Sequence, residues 1–245
     1  MLLWIIGFAL LGSIGAVAGA AAILFFPEYI RRTLVPWLIS YATGTLLGAA
    51  FLGMIPAGLS QAPALAVTAT VLAGIVLFFV LEKLVLWRHC HDNECEVHGR
   101  AGPLILIGDA FHNFVDGVVI AAAFITSIPL GIATALAVVA HEVPQEIGDF
   151  AILLDSGYGR MRAVVLNTLS AAATLPGAVA AYLWLDEMSG AVPYVLALSA
   201  ASFIYIATAD LVPEMHRQIT PAASLVQFVL LLAGIGTIAL FHFGG

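Results

Sequence analysis

The sequence predicts an all-α integral membrane protein of eight spanning helices with both termini on the extracytoplasmic side. Three observations lead there. First, 62% of the 245 residues are hydrophobic and only 9% are charged, with a mean hydropathy of +1.08. A soluble domain carries about 25% charged residues, and so few charges could not cover a water-exposed surface. Second, apolar runs near the roughly 20 residues needed to cross a bilayer recur eight times along the chain. Third, all eight Lys and Arg fall on odd-numbered connections between those runs. The positive-inside rule then places the odd connections in the cytoplasm.

Runs bounded by Pro, Gly or charge clusters give spans at roughly 2–26, 34–60, 64–87, 103–126, 128–154, 162–185, 190–212 and 221–243. The first, "MLLWIIGFALLGSIGAVAGAAAILFF", lacks the basic start of a signal peptide and is too long for one, so it reads as a retained helix. Arg31 and Arg32 mark the first connection, and Lys83, Arg88 and Arg100 the third. Arg160 and Arg162 mark the fifth, and Arg217 the seventh. The whole of 1–245 reads as one membrane domain whose only connection of any length is a loop at 88–102. Almost nothing joins spans four and five, which predicts an antiparallel hairpin. Cys90 and Cys95 share the long loop and define no disulfide framework.

That hairpin carries the unusual chemistry. Span four contains "GDAFHNFVDG", in which Asp109, His112 and Asp116 share one helical face with Asn113 beside them. Span five contains "HEVPQEIGDF", in which His141, Gln145 and Asp149 form one row and Glu142, Glu146 and Asp149 an adjacent one. A charge at mid-bilayer costs about 2.5–3.5 kcal/mol, so the uncompensated acids would together cost more than about 10 kcal/mol. Neither span contains Lys or Arg, which excludes internal salt bridges. Protonation, water in a cavity or bound cations remain. A mixed set of imidazole, carboxylate and amide suits divalent transition metals such as zinc, with iron, manganese and cadmium also admitted. Pro144 and Gly148 are expected to interrupt and bend span five around the site, as broken helices do in transporters.

Other polar residues are less pointed. Asp210 on span seven and Asn167 on span six either line a path or satisfy backbone groups. Glu82 is expected to snorkel to the interface with Lys83, and His242 to sit at the interface. The loop "RHCHDNECEVHGR" gathers His89, Cys90, His91, Cys95 and His98 among acids without a fixed ligand spacing. It reads either as a cytosolic cation-capture segment or as a solvated linker.

On these motifs the sequence resembles the ZIP (Zrt-, Irt-like protein) family of divalent-metal transporters, with a ZIP-type fold. "HNFVDG" is similar to the family's HNxxDG pattern, and "HEVPQEIGDFAILL" to the HExPHExGD pattern of one branch. "NTLSAAATLPGA" and "ASFIYIATADLVPE" resemble its sixth and seventh helices. The resemblance implies a binuclear site midway through the membrane, with His112, Asn113 and Asp116 from span four. From span five it implies His141, Glu142 and Gln145, with Glu146 close by and Asp109 and Asp149 in the pathway or behind the ligands. It also implies a homodimer in the lipid bilayer. Metal ions would enter the cytoplasm by an elevator-like movement of helices one, four, five and six against two, three, seven and eight. The sequence departs from the branch at Gln145, where a second histidine is usual. It departs again at Thr174, where some members carry a carboxylate, and in span two, which lacks the branch's histidine and glutamate.

The functional expectation is therefore a secondary transporter of divalent metal, zinc first, in a bacterial inner (plasma) membrane. The metal is substrate, and no catalytic cofactor, nucleic acid or nucleotide is implied. The alternative is an intramembrane zinc hydrolase, because "HEVPQ" begins like the zincin HExxH, in which two histidines hold zinc and the glutamate is general base. A cation channel would instead conduct currents, and a sensor or store would bind without flux.

Overall fold

In a computed structural model, which describes residues 1–89, 101–187, 189–217 and 220–243, eight helices are long and apolar enough to cross a membrane. They are α1 (Leu2–Leu24), α2 (Glu28–Leu59), α3 (Ala64–His89), α4 (Ala101–Thr126), α5 (Ile128–Asp155), α6 (Arg160–Leu185), α7 (Val192–Met215) and α8 (Pro221–Phe243). Eight crossings leave both termini on one face. The basic ends of α2, α6 and α7 lie on the opposite face, where Arg32 pairs with Glu28 at 2.6 Å and Arg217 with Glu214 at 3.0 Å. Cys90, His91, Cys95 and His98 lie outside the described residues, as do the side chains of His89 and His242.

The two central helices are α2 and α5. Two-thirds of the most apolar stretch of α2 and over half of that of α5 are buried, against about a tenth in α3. Helix α5 packs on α1, α2, α4, α6 and α8, so its central polar residues are enclosed by protein while its ends, at Ile128, Ile152 and Leu154, stay exposed. Phe124, Leu46, Ile120, Leu130 and Phe203 fill the space around it without exposure.

Close backbone approach rather than bulk apolarity decides which helices pair most tightly. A Cβ on Gly117 of α4 would overlap the carbonyl oxygen of Thr174 on α6, and one on Gly177 of α6 would overlap that of Phe114 on α4. Gly44 of α2 and Gly234 of α8 make a second reciprocal seam, against the carbonyls of Leu231 and Tyr41. Small residues let membrane helices approach in this way, where van der Waals packing replaces the hydrophobic drive. Most buried hydroxyls satisfy themselves within their own helix, the Thr134 hydroxyl being an exception without a partner. Ser13, Ser40, Thr43 and Ser199 each donate to the carbonyl one turn earlier, at 2.7–2.8 Å.

The hairpin forms as the sequence predicts. Ser127 alone joins α4 to α5, and its side chain caps α5 by accepting from the Leu130 amide at 3.3 Å. At the other end Gly157 adopts φ 84°. Its amide and that of Tyr158 bond back to Leu154 and Leu153, closing the helix in a turn that favours glycine.

The expected interruption of α5 does not occur. The helix is continuous from Ile128 to Asp155 through Pro144, and Gly148 faces open space. A proline removes a single hydrogen bond, which a well-packed membrane helix tolerates. The irregularities lie elsewhere: π turns at Leu11–Gly15, Ala49–Met54 and Ile206–Leu211, and a break in α6 at Ala172 and Ala173. Glu82, exposed near the end of α3, also has a partner the sequence did not show. Its carboxylate accepts from the Tyr205 hydroxyl of α7, while Lys83 lies over the Phe79 ring.

The two glycine environments predict opposite outcomes. Gly117→Ala is expected to force α4 from α6 and destabilise the protein by about 1–3 kcal/mol, the usual range for overpacking. Gly148→Ala, whose Cβ meets nothing within 4 Å, should leave the melting temperature in detergent unchanged or slightly raised. Thermal unfolding of both variants checks this.

Candidate metal centre

Halfway along the hairpin, four donors from two helices point at one spot. Helix α4 supplies His112 and Asp116, one turn apart, and α5 supplies the adjacent pair His141 and Glu142. His141 Nε2 lies 3.2 Å from Asp116 Oδ2 and 3.4 Å from Glu142 Oε1, and His112 Nε2 lies 3.3 Å from Glu142 Oε1. The two Nε2 atoms are 3.2 Å apart, and His112 Nε2 is 3.8 Å from Asp116 Oδ2. Zinc bonds to imidazole nitrogen and carboxylate oxygen are about 2.0–2.2 Å, so the edges of a tetrahedral site run roughly 3.3–3.6 Å. These five separations, 3.2–3.8 Å, bracket that length.

Burial makes the convergence meaningful. Asp116, His141 and Glu142 are at most 1% exposed, and both oxygens of each carboxylate lack a hydrogen-bond donor. Buried carboxylate oxygens without donors are costly. Among the described residues, every ion pair of Lys or Arg with an acid lies at a helix end, far from this centre. The His112 side chain, 21% exposed, is the one opening into the group.

The histidine orientation also fits metal. His141 Nδ1 lies 3.0 Å from the Ala137 carbonyl, which can only accept, so Nδ1 carries the proton and Nε2 presents its lone pair to the group. Phe203 of α7 fixes the ring from the other side, its centroid 5.8 Å away at 64°. Any residue at 137 offers a carbonyl, so the sequence held no signal for that contact. Phe203 looked like one more core aromatic.

The remaining expected site residues form a second group about one turn toward the basic face. Asp109, Glu146 and Asp149 are all buried, with one oxygen from each lying within 4.8 Å of the others. Amides hold them. Asp109 Oδ1 accepts from Asn113 Nδ2 at 2.9 Å and from Gln145 Nε2 at 3.3 Å, and Glu146 accepts from Asn167 Nδ2. Asn113 is oriented in turn by the Thr174 hydroxyl, which donates to its Oδ1 at 2.9 Å. So Asn113 and Gln145 are placed on Asp109, outside the four-donor group. Asp210 sits exposed on the π turn of α7 and joins neither group.

Comparison with known proteins supplies the family. The family model described as ZIP Zinc transporter matches residues 88–242. The chain belongs to the ZIP zinc transporter family. It is 32% identical to zinc transporter SLC39A7 of Mus musculus, over 86% of the chain and 63% of that protein. It is 34% identical to zinc transporter ZIP13 of Pongo abelii, over 83% of the chain and 66% of that protein. Zinc transporter zipt-7.1 of Caenorhabditis briggsae is 27% identical over 94% of the chain and 77% of its own length. The chain thus spans somewhat under two-thirds of the first two relatives. These relatives are animal proteins and lend no support to the expected bacterial inner membrane; the chain is a multi-pass membrane protein.

Both imidazoles must be neutral to bind metal, so protons compete with it. Zinc affinity of the purified protein in detergent is expected to fall as pH drops from 7.5 to 5.5, read by isothermal titration with buffers of different ionisation enthalpy. Affinity that is flat with pH, without proton release, would remove the histidines from the site.

Proposed function

We propose that the chain is a secondary transporter that carries divalent transition-metal ions, zinc foremost, across the membrane into the cytoplasm. The convergence of His112, Asp116, His141 and Glu142 on donor separations suited to a tetrahedral ion carries this reading. Family membership and the names of the relatives, all zinc transporters, point the same way. Iron, manganese and cadmium are the expected competitors, since an N₂O₂ set without thiolate is not exclusive to zinc. An exchangeable set of two imidazoles and two carboxylates also suits flux better than a closed thiolate site.

The packing supports movement of α1, α4, α5 and α6 against a dimeric scaffold of α2, α3, α7 and α8. The reciprocal glycine seams join α4 to α6 and α2 to α8, and Gly74 of α3 abuts Ala201 of α7. Each seam lies within one of the two groups. Contacts across the boundary are made by side chains, such as Leu130 against Gly53 and Phe203 against His141, which slide more readily than interlocked backbones. Asp109, Asp149, Asn167 and Asp210 would serve the path, and the loop with His89, Cys90, His91, Cys95 and His98 would capture ions on the cytoplasmic side.

A hydrolase has less behind it. Gln145, one turn beyond His141, donates to Asp109 instead of joining a metal, and Glu142 belongs to the donor group rather than standing free as a base.

Purified protein in proteoliposomes is expected to take up radioactive zinc saturably, and His112→Ala and Glu142→Ala to lower that uptake to the level of empty vesicles. Competition by iron, manganese and cadmium gives the preference. Saturable binding with no uptake would replace transport with sensing or storage.

A further inference from the structure

Helix α5 carries a polar stripe that runs past the metal centre. Thr134 lies two turns before His141, and Gln145 and Asp149 follow one and two turns after it, all on nearly the same face. The last three belong to the four-donor centre or to the acids beside it. Thr134 belongs to neither. It sits about 10 Å from His141 along the helix axis, toward the Ile128 end and away from the basic face.

The Thr134 hydroxyl is fully buried and has no partner. Ser13, Thr43, Thr126, Thr168 and Ser199 each donate to the carbonyl four residues back. The Leu130 carbonyl stands in that position for Thr134, and a helical threonine has a rotamer that reaches it, yet the hydroxyl turns elsewhere. Among the described residues, the other buried side-chain atoms without partners belong to the acids, to Asn167 beside Glu146, or to Arg31 on the basic face. Thr134 is therefore the one orphan between the four-donor centre and the opposite face. That half is otherwise apolar. Helix α4 has no polar side chain from Gly117 to Ile125, and Met54, Ile120, Phe124 and Leu130 are at most 1% exposed. Two π turns border α5 at the same level. Gly12 in the turn of α1 abuts Val138, and Gly53 in the turn of α2 abuts Leu130. Val138 and Leu130 each lie one helical turn from Thr134, and π turns gather at functional sites.

We propose that Thr134 lines the extracytoplasmic approach to the four-donor centre, its hydroxyl receiving a partly hydrated divalent cation on its way through the apolar seal. Six residues separate it from Ile128 and seven from His141, so it stands about midway between the outer end of α5 and the first imidazole. A hydroxyl oxygen offers lone pairs to a cation or a hydrogen bond to its water. Being neutral, it avoids the cost of another buried charge and does not hold the ion fast. The role rests on the transport reading.

The test compares wild type, Thr134→Val and Thr134→Ser, each purified at full length. Zinc binding in detergent reports the four-donor centre, thermal unfolding reports the packing, and radioactive zinc uptake into proteoliposomes reports passage. Thr134→Val is expected to bind zinc as wild type does and to melt at the same or a higher temperature. Its uptake should fall roughly tenfold, the worth of one hydrogen bond to a charged group. Thr134→Ser, which keeps the hydroxyl, should transport near the wild-type rate. Uptake by Thr134→Val equal to wild type would overturn the proposal and leave the transport reading standing. Equal losses of uptake in Thr134→Val and Thr134→Ser would also overturn it, by assigning the residue to packing. Should Thr134→Val fail to fold, Thr134→Ala set against Thr134→Ser decides in the same way. A wild type that binds zinc without taking it up would remove the transport reading, and this role with it.

Discussion

Five buried carboxylates on two adjacent helices, with no Lys or Arg paired to them among the described residues, set the constraint on which the rest of this structure depends. At about 2.5–3.5 kcal/mol for each charge near the bilayer centre, they would consume much of a protein's ordinary stability of about 5–15 kcal/mol. Apolar packing around them makes the problem worse by excluding water. Their grouping lets a shared proton, enclosed water or a bound ion relieve that cost. Asp116 and Glu142 converge with two imidazoles, and Asp109, Glu146 and Asp149 are steered by neutral amides.

The rest of the fold serves that grouping. Gly117 and Gly177 let α4 and α6 approach until Thr174 can reach Asn113. The one-residue link at Ser127 fixes α5 antiparallel to α4, so that His112 and Asp116 meet His141 and Glu142 at one depth. The Ala137 carbonyl and Phe203 hold the His141 ring with its lone pair inward. Because α5 is enclosed by five other helices, its acids never face lipid.

Much of this was legible in the sequence. Apolar run lengths gave eight helices, and the 3.6-residue period put His112 with Asp116 on one face. What the period could not provide is rotation about the helix axes and rotamer choice. These decided that Glu142 points into the four-donor group while Gln145 and Asn113 turn to Asp109. The partner that orients Asn113 is Thr174, 61 residues along the chain, and no local pattern announces such a pairing. Pro144 misled for a related reason. Proline in a helix signals a break when helix stability is local, but here tertiary packing carries α5 through it. The π turns had no sequence signature at all.

X-ray absorption at the zinc edge, on protein loaded with a single equivalent, addresses the central claim directly. The account predicts a four-coordinate ion with nitrogen and oxygen neighbours at about 2.0–2.2 Å, outer-shell scattering from two imidazoles, and loss of one imidazole in His141→Ala. Sulfur neighbours at about 2.3 Å, or a spectrum with no imidazole scattering, would place the ion elsewhere and contradict it.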